Sequence, residues 1–522
     1  MLKRSLALIL ALVMLAAICV GCANTSDNNG DDQSAVTTTT APAGNEPAGN
    51  DTTAQTGDET TAPAETTADP SYIADIPADL DFGGKTINIL ATAQAFSKDE
   101  FDAQSMNGSV VNDAVYERNL AVEDALGVRL NVILADPSSV YKAGDAVRNA
   151  VATGDKAYDL ATMPGYTHTS YVLEGDFYDL MSVENLDLDK LYWTQGFNQI
   201  MCNGTRQYVA SGAYSISMYR NMYITLYNKP VFQANGLEDL YDLVKADKWT
   251  FTKQTEMVAN LYNDLNGNSE RDASDFYGFV TGANTSVDPY WVGFNMPILS
   301  LTDGVYAIDY DTEKLIDIVT NVQNMLFRNE GVYCVGKSGT EDGSDKTVII
   351  SQFAAGNAAM CTTMIFQIEN YLTPNNFEPE YGIAPIPKYD DNQEDYYTHV
   401  QDQLTVMGIV ATVSQDDLPM MGAVMETIAE QSYKHVFPAY YENALSYKYL
   451  QNPQSVEMLD LIYHSIKVEG TFIYSSKFAM LGQLRTIVSN DNNRISSVLK
   501  GYNRKWSSGA TELNEGLEKL SH

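Results

Sequence analysis

Histidine and cysteine are scarce in this chain, five of each in 522 residues. So few soft and imidazole ligands leave little material for a zinc site. Basic side chains are also in deficit, 32 against 68 acidic, and the net charge of −36 repels phosphate backbones and anionic lipid. Nucleic-acid binding and a polybasic membrane contact are therefore excluded as readings. Beyond residue 20 no apolar run reaches membrane-spanning length. No Gly-x-Ser-x-Gly elbow, His-Glu-x-x-His helix or phosphate-cradling glycine loop is found either. What is present is core-forming material, 44% hydrophobic and 10% aromatic, which rules out a disordered polymer. The length suggests two or three domains.

The first 22 residues read as a targeting segment. Lys3 and Arg4 precede the apolar run Leu6 to Val20, which ends in Cys19-Val20-Gly21-Cys22. A small residue before cysteine at the end of such a run resembles the lipobox of bacterial lipoproteins, with Cys19 where that motif usually has Leu. The resemblance implies cleavage before Cys22 and diacylation of its thiol. Residues 23–80 are Thr, Ala, Asn, Asp, Gly and Pro with almost no large apolar side chain, the composition of a disordered tether. Twelve acids and no bases lie between residues 23 and 83, so self-repulsion should extend it. Cys202, Cys334 and Cys361 remain, at no regular spacing. Either Cys334 and Cys361 pair or all three are free thiols.

From Gly84 the pattern changes. Lys85 to Leu90 alternates and is β-branched, and predicts a strand. Asn112 to Leu126 has helical spacing, Val128 to Ile133 is a second strand, a helix follows over 141–153, and Tyr158 to Met163 is a third strand. This β-α-β-α-β run opens an α/β sheet, whose ligands sit beyond the carboxyl ends of the strands. The loops beginning at Ala91 and Pro164 are the first places to look. Further on, Leu404 to Val413 reads as a strand, Pro419 to Gln431 as a helix, and the tail to about residue 518 as amphipathic helix.

GKTINIL, NDAVYERNLAVEDALGVRLNV and YDLATMPGYTHTSYVLEGDFYDL resemble the opening of the extracellular solute-binding proteins of bacterial ABC importers, in particular the maltose-binding-protein-like group (family 1). GTRQYVASGAYSISMYRNMYITLYNKPVFQANGL, LYDLVKADKWTFTKQTEMVANL and YGIAPIPKYDDNQEDYY follow in the family's order, so the resemblance spans about residues 84–470. It implies a two-lobe, periplasmic-binding-protein-like (type II) α/β fold with discontinuous lobes and a ligand cleft between them. Lobe one would be 84–210 plus 386–435, and lobe two 211–385 plus 436–522. It further implies a monomeric, non-catalytic receptor for carbohydrate, an oligosaccharide by expectation, held on the outer face of the cell membrane by its lipid and partnered by permease subunits. A peptide or other small-solute receptor on the same fold is the alternative. A secreted glycoside hydrolase is another, but with this many carboxylates an acid pair carries no weight.

Sugars are bound by stacking on aromatic rings and by planar hydrogen-bonding groups. The candidates at strand ends are Thr92, Gln94, Tyr166, Thr167 and His168. At the crossing between lobes they are Ser211, Tyr214 and Tyr219, and in the second lobe Tyr290, Trp291, Phe366 and Gln367. Trp193, Trp249 and Trp506 read as structural. One loop carries metal chemistry. Asp264, Asn266, Asn268, Asp272 and Asp275 stand at positions 1, 3, 5, 9 and 12, with the Glu270 carbonyl expected from position 7. This is the spacing of an EF-hand calcium loop, with Ser269 where Gly is usual. Structural calcium is the expectation, and a solvated polar turn after a helix over 254–262 is the alternative.

Overall fold

The computed structural model describes residues 69–336, 346–373, 380–441, 453–491 and 494–520. Cys22 and the tether up to residue 68 lie outside the described residues. No helix among those described is long and apolar enough to cross a membrane.

The strands in chain order are β1 (Lys85–Ala91), β2 (Val128–Leu134), β3 (Leu160–Pro164), β4 (Tyr223–Asn228), β5 (Tyr262–Asn263), β6 (Phe276–Gly282), β7 (Leu299–Thr302), β8 (Val305–Ile308), β9 (Val332–Val335), β10 (Ala358–Met364), β11 (Tyr381–Ala384), β12 (Thr398–His399), β13 (Thr405–Ile409) and β14 (Ile466–Lys467). A first sheet has the order β13-β3-β1-β2. Its β1 pairs in parallel with β2 and β3, while β13 returns antiparallel against β3. The alternation that marks β1 in the sequence buries Ile87 and Ile89. Between β1 and β2 the helix Val110–Leu126 ends at Gly127, whose φ of 58° is the left-handed cap that glycine accepts without strain. A second sheet runs β11-β4-β10-β6-β5, with β9 also paired to β6. In it β6, β9 and β10 are parallel, and β4 is antiparallel to both β10 and β11.

Two chain segments pass between the sheets side by side. The outgoing one covers about 210–222 and the return about 400–407, and they are joined by antiparallel bridges at Ala210–Met407 and Met222–Val400. The tail packs on the β7–β8 hairpin and on the segment that leads into the outgoing crossing. Tyr306 on the β7–β8 hairpin hydrogen-bonds Asn514 in the helix Ile495–Glu518 and donates its hydroxyl to the Ile200 carbonyl at 2.7 Å. Arg206 Nη1 donates to the Leu517 carbonyl at 3.2 Å.

Trp193, Trp249 and Trp506 are buried, each with its indole N–H satisfied, by Glu426, the Pro385 carbonyl and Gln483. Cys334 and Cys361 are buried and not joined in a disulfide, and Cys202 is half-buried. Three boundaries differ from expectation, the first being the strand expected over Leu404 to Val413, which is Thr405–Ile409. The tether was expected to run to residue 80, yet residues 69–80 pack on the folded body. Tyr72 stacks on Tyr433 at 4.4 Å, and Ile76 and Leu80 supply apolar anchors that the rest of the tether lacks. The helix expected over 254–262 is Phe251–Val258. Asn329 Nδ2 takes the Thr255 carbonyl at 3.0 Å, and the chain turns into β5.

Candidate functional site

One parallel strand of each sheet ends at a crossing, β3 against the return segment and β10 against the outgoing one, where the Ile365 N–H donates to the Met222 carbonyl at 3.2 Å. After β3 the chain turns through Gly165–Thr167. The Gly165 N–H donates to the Leu404 carbonyl at 2.7 Å and the Tyr166 N–H to the Asp402 carbonyl at 3.0 Å. A Cβ on Gly165 would stand 3.3 Å from the Asp402 oxygen, so a side chain here would push the return segment back by a few tenths of an ångström. The half-buried Tyr166 ring meets Tyr141 edge-on at 6.2 Å. Burial, and then the negative charge of Asp402, hold its phenol far above the ordinary range.

On the other side, Asp288 follows β6 and is buried against Arg485, whose Nε donates to it at 2.8 Å and whose Nη2 makes a second bond. Tyr223, at the start of β4, stacks on His399 at 5.3 Å and donates its hydroxyl to the Thr285 carbonyl at 3.2 Å. The charge of Asp402, in the return crossing, acts on Tyr166 after β3, on Tyr223 at the start of β4 and on Arg485 in the helix Met480–Ser489. Nearby, Phe96 from the loop after β1 meets Phe366 from the turn after β10 edge-on at 5.4 Å, and both rings are half-buried. Asn221 is fully buried in the outgoing crossing with neither side-chain amide atom paired, a polar group that water or a ligand would satisfy.

Of the residues expected at the site, Gln94, Tyr166, Phe366 and Gln367 are half-buried at the strand ends. Gln94 Nε2 reaches the Pro137 carbonyl at 3.3 Å. The other eight are buried. Thr92 donates its N–H to Thr162 Oγ1 at 2.9 Å, and Thr167 its hydroxyl to the Pro164 carbonyl at 2.8 Å. Ser211 donates to the Thr405 carbonyl at 2.9 Å and Tyr214 to the Ala210 carbonyl at 2.6 Å. Tyr219 sits among Phe437, Tyr440 and Tyr463, while Tyr290 packs between Phe251 and Phe294. Trp291 lies in the same helix as Tyr290, Asp288–Gly293. His168 bonds the Gly165 carbonyl through Nδ1, and burial pushes its imidazole down to about 4, so it is neutral and not poised as a base. Asp402, Arg485, Asp288, Phe96 and Tyr141 are the groups that sequence reasoning missed. Asp288 had a usable signal, since it precedes Pro289 at the head of a short helix, six residues past the end of β6.

The loop at 264–275 forms the nested turns its spacing implies. Asp264 accepts the N–H groups of Gly267 and Ser269 at 2.6 and 2.9 Å, Asn266 that of Asn268 at 2.9 Å, and Asn268 that of Glu270 at 2.7 Å. Ser269 has φ 62°, the left-handed conformation for which glycine is usual. Asp275 is fully buried and accepts from Tyr262 and the Leu265 N–H, while the amide groups of Asn266 and Asn268 donate to Asp272. Among the described residues no group of three or more His, Cys, Asp or Glu is placed to hold a metal. The oxygen donors suit a hard cation once those two amides and Asp272 rearrange.

A comparison with curated protein sequences finds no match. Solved structures do match. A family 1 extracellular solute-binding protein from Bifidobacterium longum subsp. infantis has a TM-score of 0.53 at 12% identity, over 82% of this chain and 100% of that one. The cyclic alpha-maltosyl-1,6-maltose binding protein from Arthrobacter globiformis has 0.53 at 13%, over 82% and 100%. The galacto-N-biose-/lacto-N-biose I-binding protein of the ABC transporter from Bifidobacterium longum has 0.53 at 10%, over 83% and 98%. These likenesses establish the fold as that of the type II periplasmic binding proteins, with sheets and helices in two lobes. The family model described as "Bacterial extracellular solute-binding protein" matches residues 123–423, more than half of the sequence, and the chain belongs to that family.

Proposed function

We propose that this protein captures a carbohydrate, an oligosaccharide, in the cleft between its lobes and delivers it to the permease subunits of an ABC importer. The observation that carries this reading is the meeting at Asp402 of groups from both sheets. Tyr166, which meets Tyr141 edge-on, and Arg485, which is paired with Asp288, both lie within range of the Asp402 charge, and Phe96 with Phe366 is a further pair of half-buried rings. Rings with apolar faces beside fixed carboxylate and guanidinium groups suit a molecule that has apolar faces edged by hydroxyls. Two of the similar structures are named for saccharides, one of them as part of an ABC transporter, which supports the same class. A ligand touching both lobes binds the closed arrangement better than the open one, and that difference alone drives closure. The protein acts as a monomer and does no chemistry. Acylation of Cys22 holds it on the outer face of the cell membrane, and calcium in the 264–275 loop is structural.

The deciding experiment is a thermal-shift screen of residues 69–522 against linear and cyclic oligosaccharides and a peptide library. A melting temperature raised by saccharides is the expected result. A rise with peptides alone overturns the carbohydrate assignment, and release of reducing ends from a glycoside overturns the non-catalytic one. Radiolabelled palmitate should enter the full chain and be lost in Cys22→Ala.

A further inference from the structure

Arg220 ends the short helix Ile216–Arg220 in the outgoing crossing, and only 9% of its side chain is exposed. Its guanidinium bonds segments from both sheets at once. Nη1 donates to the Phe96 carbonyl at 3.0 Å and Nη2 to Asp99 Oδ2 at 3.1 Å, both in the loop after β1. Nε donates to Glu369 Oε2 at 3.1 Å, in the turn after β10, and the Tyr440 hydroxyl donates to the other oxygen of that carboxylate. The same helix grips the loop a second time. The N–H and hydroxyl of Ser217 both donate to Glu100 Oε1 at 2.7 Å. The segment Phe96–Glu100 is thus tied to the crossing as well as to its own strand. A planar fork of fixed donors meets three acceptors arriving from two directions in one set geometry, whereas a lysine ammonium carries its three rotatable donors at the end of a flexible stem.

The rings placed by this arrangement are Phe96 and Phe366. The Phe96 carbonyl is itself an Arg220 acceptor, and Glu369 lies three residues beyond Phe366. We infer that Arg220 is a positioning residue. It holds Phe96 against Phe366 as one preassembled apolar platform at the cleft, on which a face of the ligand's sugar ring lies. Naming the sugar rests on the function proposed above, whereas the positioning itself does not.

The experiment separates the two. Phe96→Trp places a reporter in the platform, because the four native tryptophans are at most 2% exposed and give a shielded background. Acrylamide quenching of that reporter is compared with Arg220 intact, Arg220→Gln and Arg220→Lys. Quenching should rise severalfold with Gln and less with Lys. Unchanged quenching with Gln overturns the positioning role. Asp99→Ala and Glu369→Ala each remove one partner and repeat the measurement if Arg220→Gln does not fold. Maltotetraose and lacto-N-biose serve as binding probes in the chain with Phe96 intact. Arg220→Gln and Phe96→Ala should each weaken binding about tenfold, the worth of one aromatic contact, and the double variant no further. Losses that multiply in the double variant overturn the platform. If no saccharide binds the wild-type chain, the carbohydrate reading falls and the quenching result alone decides the positioning.

Discussion

Glu100 has no exposed surface, and burial pushes its carboxyl up from 4.5 to about 7 against the opposing pull of its hydrogen bonds and of Arg220. Thr405 and Ser217 face its carboxylate, Ser217 donating to Oε1 twice, while Arg220 and Arg118 carry the nearby positive charges and the Tyr214 phenol feels its charge. Arg118 does not neutralise the carboxylate directly, because its Nη2 is committed to the Glu100 backbone carbonyl at 2.7 Å. A folded-state pKa above the unfolded one means that the native state holds the proton more tightly. The associated stability is therefore fully present below about pH 4.5 and is lost as pH rises through about 7. A displacement of about 2.5 units corresponds to about 3 kcal/mol.

Glu100→Gln keeps the shape and an acceptor for Ser217 but cannot ionise. Urea unfolding of the wild type and this variant at pH 5, 6, 7 and 8 should give similar midpoints at pH 5. At pH 8 the variant should be the more stable, by up to about 3 kcal/mol. The comparison within one pH cancels the repulsion among surface carboxylates, which changes equally in both proteins. A difference that stays flat from pH 5 to pH 8 would refute the reasoning, since Glu100 would then titrate alike in the folded and unfolded chains.

Three further outcomes follow from the geometry. The His168 imidazole, pushed down to about 4 by burial, should show no NMR titration between pH 5.5 and 8, and the stability tied to its neutral form should be lost as pH falls from about 6.5 through about 4. Asp288→Asn leaves the largely buried Arg485 without its charge partner. It should lower stability by roughly 2 kcal/mol in denaturant unfolding, less than a fully buried pair would lose because Arg485 retains some solvent contact. For the 264–275 loop, calcium should raise the melting temperature and a chelator lower it. Ser269→Gly should stabilise the apo loop by about 0.5 kcal/mol, by relieving the left-handed backbone.

Much of the first sheet was legible because its signals are local. The alternation in β1, the helical spacing before Gly127 and the break after β3 each occupy fewer than twenty consecutive residues, and observed boundaries fall within about two residues of those read. The candidate site was legible only where the same local logic reaches it. Tyr166 and Phe366 directly follow strands, and ligands gather beyond such ends. Asp402 and Arg485 carry no comparable mark. One stands before an antiparallel return strand and the other on a tail helix, and their roles exist only after β3, β6 and the helix Met480–Ser489 converge. The aromatic residues show the limit most sharply. Tyrosine has an apolar body and a polar tip, so its pattern in sequence is the same whether the hydroxyl meets a ligand or a backbone carbonyl. Tyr214 turns its hydroxyl onto the Ala210 carbonyl, and Tyr219 packs against rings contributed by residues 437–463, over two hundred positions away. Which of the 33 tyrosines face the cleft is decided by those distant partners, and a reading that sees one neighbourhood at a time has no access to them.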